Sequence, residues 1–196
     1  SKADYACTLA ATLAYFIYGQ RDSFGLMSFD DDIIEFLPAK SRRGHLNHFL
    51  AALENRGKSE QSQIAKALKQ SAELFRQRGL LVIISDMMMD LDELELNLGY
   101  LRSAGHEVIL FQVLDPLELN MELEKPALFE DMENGEKLFV NPSVIRDEYQ
   151  VKMKKHNDAL QEICENTGIL YHPMTTDVPL NMALADFLRF REKFSR

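Results

Sequence analysis

A carboxylate closes the apolar run Leu80-Leu81-Val82-Ile83-Ile84-Ser85-Asp86, and no residue of this sequence is better placed to do chemistry. The run is short, rich in Val and Ile, and preceded by Arg78-Gly79, which predicts a strand covered on both faces, as in a parallel sheet. Ligands of open α/β sheets gather outside the carboxyl ends of the strands, so Asp86 stands where a site would lie. Ser62 offers a second oxygen at the start of the helix that leads into this strand. Carboxylate and hydroxyl oxygens are hard ligands that suit Mg²⁺, which keeps several of its waters. The same two residues have an ordinary structural use, Ser62 as a helix N-cap and Asp86 as the cap of the following turn. Asp115 ends the next apolar strand, and Asp86 with Asp115 would be the carboxylate pair of a metal-assisted hydrolase.

Other constellations carry less. Gly57-Lys58-Ser59 has the ending of a phosphate-binding loop, but Ala52 stands where that motif needs glycine, and no strand precedes it. His45 and His48 are close on one helix, yet without further ligands nearby they read as surface histidines. His106, after Gly105, reads as a helix-end residue meeting the dipole, and His156 as a helix-face residue with a satisfied nitrogen. The run Asp30-Asp31-Asp32 reads as a solvated turn, since one contiguous acidic run does not supply converging ligands. No serine sits in a nucleophile elbow, and no general base or histidine cluster accompanies the two strand-end carboxylates. A non-enzymatic role is therefore expected.

The elements that must position Asp86 follow from periodicity. A helix over residues 3–18 precedes two strand-like runs, Phe24 to Phe29 and Ile33 to Leu37, which pair as a hairpin. Gly44 to Asn55 forms a short helix; the next helix places Ile64, Ala67, Leu68, Ser71 and Phe75 on one face and stops at Gly79. After the Leu80 strand, Leu91, Leu94, Leu98 and Leu101 repeat at helical spacing until Gly105. Glu107 to Asp115 then forms a second buried strand. Asn134-Gly135 marks a small extra hairpin. A long helix over 144–167 turns Ile145, Tyr149, Met153, His156, Leu160, Ile163 and Cys164 inward. A last strand, Gly168 to Pro173, leads to a helix opened by Pro179, with Leu184, Phe187 and Leu188 on the sheet. This alternation predicts a mostly parallel α/β sheet with helices on both faces.

With 196 residues and 46% hydrophobic content, the chain is expected to be a single domain. A formal charge of −9 disfavours nucleic acid and anionic membrane, both of which need a basic surface. Cys7 and Cys164 lie far apart in predicted helices, which argues against a disulfide and for a reducing cytoplasm. The stretch Ala6 to Gly19 is shorter than the ~18 residues of a membrane span and predicts a buried helix. No signal-peptide pattern precedes it. Because the sequence opens inside that helix, a strand is expected just upstream of Ser1.

Five segments together resemble one family: KADYACTLAATLAYFIYGQRDSFGLMSFDDDI, RQRGLLVIISDMMMD, GHEVILFQVLDPLE, LFEDMENGE and TTDVPLNMALADFLRFRE. They are similar, in the same order, to the von Willebrand factor A-like domain of the bacterial domain-of-unknown-function 58 proteins. The resemblance implies a Rossmann-like sheet with one antiparallel edge strand and a metal-ion-dependent adhesion site, or MIDAS. Of that site's three loops, the Asp-x-Ser-x-Ser loop would lie upstream of Ser1. The second, usually a threonine, is matched by Ser62, and the third by Asp86, so these two are the implied metal ligands. The implied cation is Mg²⁺ or Mn²⁺ in the full-length protein, and two ligands alone are too few for secure binding. The implied role is protein docking, with a MoxR-type AAA+ ATPase as partner in assembly or maturation of other proteins. A decayed site that leaves only an interaction surface is the third alternative, beside the hydrolase.

Overall fold

The computed structural model describes residues 1–29, 33–54, 68–70, 74–75, 77–121, 127–130, 137–140 and 142–194. Two compact units divide the chain: residues 3–78 form one, and residues 79–196 together with Ser1 and Lys2 form the other.

The first unit contains α1 (Lys2–Gly19) from Ala3 onward, β1 (Phe24–Phe29), β2 (Ile33–Lys40) and α2 (His45–Glu54). The two strands pair antiparallel, as the hairpin pattern predicts. The register slips between Phe24 and Leu26, and Gly25 sits at that slip. A Cβ there would meet the Leu37 carbonyl oxygen at 2.5 Å, so only glycine lets the strands approach this closely. Ala14, Phe24 and Phe49 form the core, with Ile17, Leu26, Leu37, Leu46 and Leu53 packed around them.

Two expectations fail in this unit. The stretch predicted to be a buried helix buries only Leu9 and Ala14, while Tyr15 and Phe16 are 70% and 61% exposed. The helix is apolar nearly all round, and one stripe of it is all that a hairpin and one short helix cover. His45 is not a surface histidine but is fully buried: its ring lies 5.0 Å from that of Phe24, and its Nε2–H donates to the Phe24 carbonyl at 2.7 Å. His48 is exposed, so the two histidines do not converge. The predicted acidic turn at 30–32, Gly57-Lys58-Ser59, and most of the helix predicted before Gly79 lie outside the described residues, although residues 68–70 are helical and Leu68 is buried.

The second unit is built on a parallel sheet in the order β3 (Leu80–Ser85), β4 (Glu107–Leu114), β7 (Leu170–Thr175). Leu80 pairs with Glu107 and Ser85 with Gln112; Ile109 pairs with Leu170 and Leu114 with Thr175. Around it run α3 (Leu91–Ser103), α4 (Pro116–Asn120), α5 (Pro142–Thr167) and α6 (Leu180–Phe194). Between α4 and α5, β5 (Ala127–Glu130) and β6 (Lys137–Val140) pair antiparallel, and the Asn134-Gly135 signal lies outside the described residues.

Alternation along β4 assigns its two faces. Gln112 reaches Asn157 of α5, whereas Phe111 meets Phe187 of α6 edge to face with ring centroids 4.8 Å apart, so helices cover both faces. Leu94, Leu98 and Leu101 of α3 and Leu160 and Cys164 of α5 are fully buried, matching the predicted inward stripes. Cys7 and Cys164 are both free, and burial pushes the Cys164 thiol up to about 12, with the Glu165 charge adding to it. On α6, Phe187 is buried as expected, but Leu188 is exposed and Ala183 takes the inward place.

The Leu80 strand departs from its expected burial. Leu80 and Val82 are 41% and 37% exposed, and only Ile83 is buried. The strand stands at the end of its sheet, paired with β4 among the described strands, so the face carrying Leu80 and Val82 is incompletely covered. An apolar run reads as doubly covered in sequence whether or not a neighbour supplies the cover.

Candidate functional site at the carboxyl edge of the parallel sheet

Parallel strands end together, so β3 and β4 bring Asp86 and Asp115 to the same edge of the sheet. Beyond Ser85 the backbone reverses through Met87, a non-glycine residue at φ 59° whose side chain is fully buried. The reversal turns the Asp86 carbonyl inward, where Gln112 Nε2 donates to it at 3.0 Å. His156 Nε2–H donates to the Met87 carbonyl at 2.9 Å. The Met87 N–H donates to Ser85 Oγ at 3.2 Å. The Asp86 carboxylate, left facing outward and about 35% exposed, accepts from the Met88 N–H at 3.3 Å.

A cation lies against that carboxylate. Lys2 Nζ is 3.0 Å from Asp86 Oδ2 and 2.7 Å from Glu118 Oε1. Burial, the largest single influence, pulls the Lys2 ammonium down; the bonds and charges of Glu118 and Asp86 together outweigh it and leave its pKa raised. Tyr149, whose hydroxyl donates to the Glu118 carbonyl at 2.7 Å, is raised by its own burial, with the Glu118 charge adding to the shift.

Asp115 is differently employed. Its Oδ1 accepts the Leu117 N–H at 3.0 Å as the N-cap of α4, and its Oδ2 accepts the Thr176 hydroxyl at 3.0 Å. Glu118 returns the bond to the Asp115 N–H at 3.3 Å, completing a capping box. With both oxygens bonded locally, Asp115 anchors α4, and Glu118 is the carboxylate that shares a cation with Asp86.

Asp86 is thus at the predicted strand end, whereas Ser62 lies outside the described residues, as does any shared geometry of the two. The Lys2 ammonium lies between two carboxylates, so the edge is acidic, and oxygen donors are the kind that suit a hard cation. Among the described residues, no three His, Cys, Asp or Glu side chains gather as a metal group. Sequence reasoning missed Lys2 and Glu118. Asp115-Pro116-Leu117-Glu118 carries a readable capping-box spacing that points to Glu118, while nothing in the sequence joins Lys2 to Asp86 across 84 positions.

Fold and edge define an α/β protein of Rossmann-like type with an acidic carboxyl edge. The chain belongs to the family described as "Protein of unknown function DUF58", whose model matches residues 1–159. Among curated relatives, the uncharacterized proteins Rv1480 of Mycobacterium tuberculosis and Mb1516 of Mycobacterium bovis are each 24% identical, covering 96% of this chain. The chain spans 59% of their length. Two solved structures share the fold. The conserved hypothetical protein BatB from Bacteroides thetaiotaomicron matches with a TM-score of 0.59 at 16% identity, over 97% of this chain and 89% of that one. An aerotolerance-related membrane protein from Bacteroides fragilis matches with a TM-score of 0.61 at 18% identity, over 93% and 85%. No helix among the described residues is long and apolar enough to cross a membrane.

Proposed function

We propose that this chain is a non-enzymatic protein-docking module of the von Willebrand factor A type. It docks its partner through a divalent cation, Mg²⁺ or Mn²⁺, at the edge marked by Asp86. The observation that carries the reading is the Asp86 carboxylate, turned outward at a parallel strand end with a positive charge 3.0 Å away. Asp86 holds the cation, with Ser62 as the hydroxyl ligand and waters or an upstream loop completing the oxygens. The bound cation supplies an open coordination position for an acidic side chain of the partner.

Following the sequence resemblance, the proposed partner is of the MoxR-type AAA+ ATPase class, the role is in protein assembly or maturation, and the setting is cytoplasmic. The local bonding of both Asp115 oxygens favours docking over metal-assisted hydrolysis, which would need that carboxylate free. Capture of the full-length protein by its cognate AAA+ ATPase, in Mg²⁺ and in EDTA, tests the reading. Binding lost in EDTA and with Asp86→Ala supports it; binding unchanged by both overturns it.

A further inference from the structure

The backbone beneath Asp86 is held more tightly than a simple strand end requires. A left-handed conformation is unfavourable for a non-glycine residue, and Met87 adopts one at φ 59°. Strain of this kind persists where surrounding structure over-determines it, and it clusters at functional sites. Here the determinants are named side chains. Gln112, fully buried on β4, donates through Nε2 to the Asp86 carbonyl at 3.0 Å and to Asn157 Oδ1 at 3.1 Å. Its Oε1 accepts the Tyr171 hydroxyl at 2.5 Å, so the amide is fixed from both ends. His156, one residue before Asn157 on α5, donates to the Met87 carbonyl at 2.9 Å.

Two consecutive carbonyls are therefore pulled inward, one by β4 and one by α5, and the intervening geometry sends the Asp86 side chain out. We propose that Gln112, His156 and Asn157 form a positioning latch that presets the Asp86 carboxylate for its cation, and that α5 is thereby coupled to the site. The latch rests on the cation-docking reading of Asp86. Outer partners that orient ligand groups are typically worth 10- to 100-fold in metal affinity, about the effect expected here.

Three variants of the full-length protein test the latch: His156→Leu, which removes the donor; His156→Gln, which keeps an N–H near the same place; and Asn157→Ala, which frees the Gln112 amide. The readouts are Mn²⁺ affinity, the NMR signals of the Asp86 carboxyl carbon and the Met88 amide, and the melting temperature. His156→Leu is expected to lower Mn²⁺ affinity by roughly 10- to 100-fold and to shift both Asp86-linked signals, with His156→Gln restoring most of the loss. If His156→Leu does not fold, Asn157→Ala carries the same expectation, since its side chain is only half-buried. Variants that change the melting temperature but leave the carboxyl carbon and Met88 amide as in the wild type overturn the latch. A wild type that binds no Mn²⁺ overturns the cation reading instead, and the two NMR signals still decide the latch.

Discussion

The ammonium of Lys2, 3.0 Å from Asp86 and 2.7 Å from Glu118, neutralises charge at the edge where a cation is proposed to act. A divalent ion must displace or share with it. Lys2→Gln is therefore expected to tighten Mn²⁺ binding, measured by titration calorimetry; unchanged or weaker binding would show that Lys2 does not compete. The pair itself is partly exposed, so its loss should cost no more than about 1 kcal/mol of stability. Because the Lys2 pKa is raised, that contribution is present below about 10.5 and is lost as pH rises through the folded value. His172 has the opposite linkage. Burial between Phe111 and Phe187 lowers its pKa, against the weaker pull of the Ala183 backbone and the Asp186 charge. Stability is then full above the ordinary value of 6.5 and falls as pH drops through it, because the unfolded chain takes up the proton first. Melting temperatures between pH 7.5 and pH 5 should fall for the wild type and fall less for His172→Phe; equal slopes would contradict this. At this scale the strand-end position of Asp86 was legible, because an apolar run ending in a carboxylate is a local signal. His45 was not: a polar residue type reads as surface until a buried carbonyl is found to accept its proton.

Elements were legible where periodicity is strong. Phe24–Phe29 and Leu80–Ser85 begin and end where the β-branched and aromatic runs do, and α3 follows its leucines. The short α4 was not anticipated, since five residues carry no period, although its cap is written in Asp115-Pro116-Leu117-Glu118. That cap assigns Asp115 a structural role with a measurable signature. Asp115→Ala should destabilise the protein by roughly 0.5–2 kcal/mol in chemical denaturation, as lost N-caps do, while leaving Mn²⁺ affinity within error of the wild type. Loss of cation binding with little change in stability would instead make Asp115 a ligand and revive the hydrolase. Exposure was the least legible property of the elements. Whether Leu80 and Val82, or Tyr15 and Phe16, are covered depends on neighbours that no local pattern names.

Across the whole molecule, a charge of −9 and a carboxylate-lined sheet edge favour cations and basic surfaces, an effect that salt screens beyond about 8 Å at physiological ionic strength. The central claim is that Asp86 marks a specific cation site rather than one more acidic patch. Calorimetric titration of Mn²⁺ into the full-length protein at physiological salt, beside its Asp86→Ala variant, separates the two most directly. Saturable binding of one ion, lost in an Asp86→Ala protein that remains folded, is the predicted result; no saturable binding, or the same isotherm in both proteins, would contradict it.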